Sequence, residues 1–224
     1  MKSPLILVCL AVSILFAQFA STSPLNAGDM KRILVLGDSL SGGFGLKPSE
    51  SYPALLANKL RAAGLNFQVT NASQTGGTSA AGLERLPGHL KRKIDIFILE
   101  LGINDAFRGV PVDQIENNLQ QIIDKVKARN PDVRVVIAGM AVPKAVGADD
   151  YVSAFGKMFA DLASKNGAVL VPYLLEGVAG DPSLNLPDGI HPNAAGQKVL
   201  AENVWRVLEP IARETAAEAA SHVR

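Results

Sequence analysis

Short apolar runs alternate with helix-patterned segments along most of this chain, and that alternation constrains its fold more than any other feature. The runs are Ile33–Leu36, Phe67–Thr70, Ile94 with Ile96–Leu99, Val133–Ala138 and Ala168–Val171. Apolar runs of this length, bounded by Gly, Asn or charged residues, read as buried strands. The segments between them have helical spacing. Leu55, Leu56 and Leu60 follow Pro53 in a first turn and precede Gly64 at the end. Ile115, Leu119, Ile122, Ile123 and Val126 are spaced for one buried face. Val152, Phe155, Phe159 and Leu162 form a third helix, stopped at Asn166-Gly167. A last helix, from about Ala194, buries Val199, Leu200, Val204 and Leu208, and its Ala-rich, charged tail, residues 214–224, is expected to fray. Strand-helix repetition implies a parallel sheet covered on both faces, with right-handed crossovers. The expectation is an α/β protein, a three-layer flavodoxin-like sandwich with a five-stranded parallel sheet.

The first residues are of another kind. Lys2 precedes an almost unbroken apolar run, Leu5 to Phe19, and then Ala20, Ser21, Thr22 and Ser23. This is the layout of a secretory signal peptide, placed at residues 1–27, and the run is short for a membrane span of about 20 residues. An uncleaved anchor is the alternative. Cys9, the sole cysteine, lies in that run. A mature chain would then have no disulfide, no thiolate nucleophile and no cysteine-based zinc site. The remaining roughly 195 residues suit one domain, taken as 28–213. Net charge is +1 with both signs scattered, so nucleic acid is not a suggested partner. The expected location is periplasmic or secreted, with no stable membrane insertion after leader cleavage. A monomer is favoured and the oligomeric state left open.

Four polar clusters fall at strand exits or just before the last helix. They are Gly37-Asp38-Ser39-Leu40, Asn71 to Ser79, Gly102-Ile103-Asn104-Asp105, and Asp188-Gly189-Ile190-His191-Pro192-Asn193. Strand exits of a parallel sheet share one edge, so these loops should converge. A serine hydroxyl is a poor nucleophile until a base takes its proton. Of three histidines, His89 stands before Lys91-Arg92-Lys93 and His222 lies in the tail, which leaves His191. Asp188, three residues earlier, can accept from Nδ1–H and leave Nε2 facing the serine. Asn193 reads as the cap of the last helix. Asp38 and Asp105 would be costly if buried and unpaired, so they should hold their loops by accepting from backbone amides.

Together these clusters resemble the signature blocks of the SGNH, or GDSL-type, hydrolase family, whose initials match Ser39, Gly76, Asn104 and His191. The resemblance spans roughly Lys31 to Pro210. Asn71-Ala72-Ser73, Leu83 to Pro87, Glu100-Leu101-Gly102, Arg108-Gly109 and Asp188 to Asn193 are similar to the bacterial acyl-CoA thioesterase I group. That group is also described as lysophospholipase and arylesterase, and it is periplasmic. The resemblance implies an SGNH hydrolase fold and a serine esterase or thioesterase acting on small acyl esters or thioesters. It implies a Ser39-His191-Asp188 triad and no cofactor. Backbone N–H groups of Ser39 and Gly76 and the Asn104 amide would form the oxyanion hole. Taken alone, Gly76 and Asn104 could each be turn residues.

Competing motifs fail. Gly43-Phe44-Gly45 hints at a dinucleotide loop, but Pro48 stands where a third Gly or Ala belongs. No His-Glu-x-x-His or Cys-x-x-Cys is present, so no catalytic metal is expected. Asn71-Ala72-Ser73 matches a glycosylation sequon, yet a glycan there would cover the oxyanion loop. Ala106, Phe107, Met140, Val142 and Pro143 are the apolar candidates for an acyl pocket, and could equally be core. Two other function classes stay open. One is a carbohydrate O-deacetylase, disfavoured because Trp205 is the only Trp. The other is a non-catalytic binding protein on the same fold.

Overall fold

Five parallel strands form the sheet of the computed structural model, which describes residues 30–221. The leader reading, Cys9 and His222 lie outside the described residues. The strands are β1 (Lys31–Gly37), β2 (Phe67–Asn71), β3 (Ile96–Glu100), β4 (Arg134–Ala138) and β5 (Val169–Val171). They pair in the order β2-β1-β3-β4-β5, all parallel. That is the flavodoxin-like order, and its switch point lies between β1 and β3. Ile33 to Leu36 and all of β3 are buried, as central strands covered on both faces must be. β2 and β5 are the edges, and β2 is correspondingly exposed at Gln68, Thr70 and Asn71.

Seven α-helices complete the described fold: α1 (Ser39–Gly42), α2 (Tyr52–Ala62), α3 (Ser79–Arg85), α4 (Ile103–Phe107), α5 (Val112–Arg129), α6 (Asp149–Asn166) and α7 (Ala194–Ser221). α2 packs on α7, while α3 packs on α5 and α5 on α6. Right-handed crossovers require this division. The step from β1 to β2 runs one way along the sheet and every later step runs the other way, so their helices cover opposite faces. All five periodic apolar side chains of α5 are buried. Each such burial contributes about 1.5–3 kcal/mol, so packing of this face holds the helix more than intrinsic propensity does.

α1, α3 and α4 have too few turns to carry a periodic signal, yet all three sit at the carboxyl edge of the sheet and shape its loops. α7 continues through Ser221. Thr215 is buried, its Oγ1 donates to the Ile211 carbonyl, and Glu214 pairs with Arg134 at 3.0 Å. Among the described residues no helix is long and apolar enough to cross a membrane.

Candidate active site

Ser39 is the first residue of α1, directly after β1. The Asp38 side chain caps this helix by accepting from the Leu40 N–H at 2.9 Å. A first-turn amide has no partner within its own helix, so the Ser39 N–H is available to a substrate oxygen. Ser39 Oγ lies 3.0 Å from His191 Nε2, and His191 Nδ1 lies 2.7 Å from Asp188 Oδ2. A carboxylate only accepts, so Nδ1 carries the proton and Nε2 is left to accept from the serine hydroxyl. Asp188 is exposed, yet its pKa falls from 3.8 to about 2. The causes are the backbone N–H of His191, then that of Ile190, both donating to Oδ1, and then the His191 ring. The loop is closed by the Leu186 N–H donating to the His191 carbonyl at 2.7 Å. Asn193 caps the start of α7 as expected, accepting from Ala195 N–H and Gly196 N–H.

Beneath the serine lies a second, buried acid pair. Register places Gly37 opposite Glu100, the last residue of β3. Glu100 Oε2 accepts from the Asp38 N–H at 3.1 Å, the Ser41 N–H at 3.2 Å and the Ser41 hydroxyl at 2.6 Å, and the Ser41 hydroxyl meets the Tyr52 hydroxyl at 2.7 Å. A Cβ at residue 37 would stand 2.5 Å from both Glu100 Oε2 and Ser41 Oγ, so only glycine admits this packing. The Asp38 and Glu100 carboxyl groups are buried side by side, and each affects the ionisation of the other. Burial raises Asp38 to about 6, and burial together with the Asp38 charge pushes Glu100 well above its ordinary range. Burial thus lifts both carboxyl groups, Glu100 the further of the two. Arg85 adds a cation nearby, donating from Nη2 to the Gly37 carbonyl at 2.7 Å.

The second and third loops are bound to the first. Asn104 Nδ2 donates to Asp38 Oδ2 at 2.9 Å and to the Gly77 carbonyl at 3.2 Å. Both its hydrogens are thus engaged, and donation to an oxyanion requires the longer, Gly77 bond to open. The Gln74 N–H donates to the Gly37 carbonyl, and Arg108 Nη2 donates to the Gly76 carbonyl at 3.1 Å. Gly76 has φ 71°, and the nearest atom to an added Cβ would be 3.8 Å away. Backbone conformation, rather than crowding, is the reason for glycine there. Asp105 holds its loop as expected, accepting from the Ser79 N–H and hydroxyl, each at 2.7 Å. The Asn71 amide is used inside the site, donating to the Ser41 carbonyl at 2.8 Å.

The structure therefore joins Ser39, Asp188 and His191 in one hydrogen-bonded line, and ties the Gly76 loop and Asn104 to the serine's turn. The pocket candidates divide. Ala106, Met140 and Val142 are buried in the core. Phe107 and Pro143 are exposed. Sequence reasoning missed Glu100, Arg85 and Arg108 as residues that organise the site. It also missed Phe44, whose ring packs on that of His191.

Residues 35–199 match the GDSL-like lipase/acylhydrolase family. The chain is 37% identical over 212 residues to esterase TesA of Pseudomonas aeruginosa, covering 94% of this chain and 100% of that protein. It is 37% identical over 180 residues to thioesterase 1/protease 1/lysophospholipase L1 of Escherichia coli strain K12, covering 80% and 84%. A crystal structure of TesA superposes with a TM-score of 0.76 at 39% identity, covering 81% of this chain and 99% of the other.

Proposed function

Because the chain belongs to the GDSL-like lipase/acylhydrolase family, we propose that it is a serine esterase and thioesterase that cleaves small acyl substrates through an acyl-enzyme. The observation that carries this reading is the line from Ser39 Oγ through the His191 ring to Asp188, with gaps of 3.0 and 2.7 Å. Ser39 Oγ attacks the acyl carbon while its proton passes to His191 Nε2. Asp188 holds the imidazole in the accepting tautomer and stabilises the imidazolium. The carbonyl oxygen, now negative, takes hydrogen bonds from the Ser39 and Gly76 N–H groups and from Asn104 once its Gly77 bond opens. The intermediate collapses, the carbon–oxygen or carbon–sulfur bond breaks, and His191 returns the proton to the departing alcohol or thiol. Water, deprotonated by the same ring, then releases the acid. Because the base works as neutral imidazole, acylation rises with pH.

Aryl esters, acyl-CoA and lysophospholipids are the substrates this reading covers. The leader-like residues 1–27 support export to the periplasm or beyond. A second reading, O-deacetylation of a carbohydrate, draws support from two exposed aromatics on the site's loops, Phe44 and Phe107. One panel tests both: p-nitrophenyl esters of graded length, acyl-CoA, lysophospholipid and acetylated xylan, each with Ser39→Ala as control. Turnover of acyl esters or thioesters, abolished in Ser39→Ala, is expected. Turnover of xylan alone would replace the first reading with the second. No turnover of any substrate would point to a binding protein.

A further inference from the structure

Phe44 has no part in the chemistry above, yet it is placed against it. It follows α1, between Gly43 at φ 69° and Gly45 at φ 75°. Its N–H donates to the Ser39 carbonyl at 3.1 Å, so the ring rides on the same turn as the nucleophile. The ring centroid is 4.3 Å from that of His191, with the planes tilted by 36°. The side chain is nonetheless 42% exposed, which is uncommon for a residue whose burial would stabilise the fold. Contact with the imidazole uses part of the ring, and the remainder is open at the site.

The His191 ring engages its partners in its own plane, Asp188 at Nδ1 and Ser39 at Nε2, so a face of the imidazole is left for Phe44 to cover. In acylation the bond from Ser39 Oγ to the acyl carbon forms and the bond to the leaving atom breaks. The proton that left Ser39 moves from Nε2 to that leaving atom, which must therefore sit beside Nε2 as it departs. Whatever the leaving atom carries extends along the imidazole and reaches the aromatic ring packed on it. The acyl chain lies on the other side of the carbonyl carbon. We propose that Phe44 is a specificity-determining residue for the leaving group, favouring planar aromatic alcohols and thiols over aliphatic ones of equal acidity. This rests on the esterase reading above.

The test holds the acyl group and the leaving-group acidity constant. Phenyl acetate and hexafluoroisopropyl acetate form the same acetyl-enzyme and release alcohols of similar acidity, one aromatic and one not. The ratio of their kcat/KM values therefore isolates contact with the leaving group. An aromatic pair is worth roughly a 2- to 10-fold preference. Phe44→Ala should lower the aryl-to-fluoroalkyl ratio by about that factor, and Phe44→Trp should retain it. In a series of phenyl esters from acetate to octanoate, the chain-length profile of Phe44→Ala should run parallel to that of the unmodified protein. An unchanged ratio in Phe44→Ala, or a selective loss of long acyl chains, overturns this proposal while leaving the esterase reading intact. Failure of the unmodified protein to turn over either acetate overturns both.

Discussion

Two aspartates approach the same serine, and their environments give them opposite chemistry. Asp188 is exposed, accepts two backbone N–H groups and the His191 ring, and has a pKa of about 2. Asp38 is buried beside Glu100, and burial raises its pKa to about 6. The first is a dependable charge held against the His191 ring. The second is an enclosed acid whose proton burial makes harder to lose. Donors on an exposed carboxylate outweigh its slight desolvation, whereas burial outweighs the donors on an enclosed one. The comparison teaches that loss of the outer acid should cost activity, and loss of the inner pair should cost the fold.

The sharpest break would come from Asp188→Asn. The amide favours the wrong imidazole tautomer, and in the worked serine-protease triad that change lowers kcat about 10⁴-fold. A loss near that size is expected in ester hydrolysis, with the urea midpoint lowered only by the stability that the depressed Asp188 pKa contributes, and a loss below tenfold would dissolve the contrast. Asn104→Ala reaches activity from the Asp38 side, and kcat should fall by about 10²–10³ with little change in KM. Glu100→Ala leaves the buried N–H groups of Asp38 and Ser41 without their acceptor and should lower stability by about 3 kcal/mol in urea unfolding. Glu100→Gln, whose amide oxygen can accept from the same N–H groups, should stay within about 1 kcal/mol. Equal destabilisation by both would mean that Glu100 works as an anion.

The smallest effect is the pH dependence of stability, in which the two aspartates should oppose each other. Between pH 2 and 3.8 the unfolded chain holds the proton of Asp188 more tightly than the folded one, so this residue makes stability rise with pH there and its contribution fade as pH falls towards 2. Between pH 3.8 and 6 the folded chain holds the proton of Asp38 more tightly, so this residue makes stability decline as pH rises. Asp188→Asn should remove the first slope and Asp38→Asn the second, read from urea midpoints across pH. A common response of both variants in one window would show that the environments are not distinct.

Asp188 and Asp38 were legible in the sequence and Glu100 was not. Asp188 and His191 stand three residues apart in a glycine-containing loop, a local pattern that needs no knowledge of pairing. Glu100 stands at the end of an apolar run, where a charged residue ordinarily marks a strand leaving the core. Only the pairing of β1 with β3 sets it opposite Gly37 and beneath the serine. The sheet was readable because its runs and helix faces are periodic, and the short helices were not because a single turn has no period. Asp105 and Asn193 were assigned their bonds correctly from local position. The split of Ala106, Met140 and Val142 from Phe107 and Pro143 depends on which way each loop leaves the sheet, which an apolar residue type does not encode.

The 152 residues that separate Ser39 from His191 have a consequence for the life of the chain. Gln197, in α7, donates to the Leu40 carbonyl and accepts from the Tyr52 N–H, so the last helix must dock before the base is steadied beside the serine. A nascent or half-threaded polypeptide carries the hydroxyl without its imidazole. Competence thus arrives with the last helix, at the end of folding.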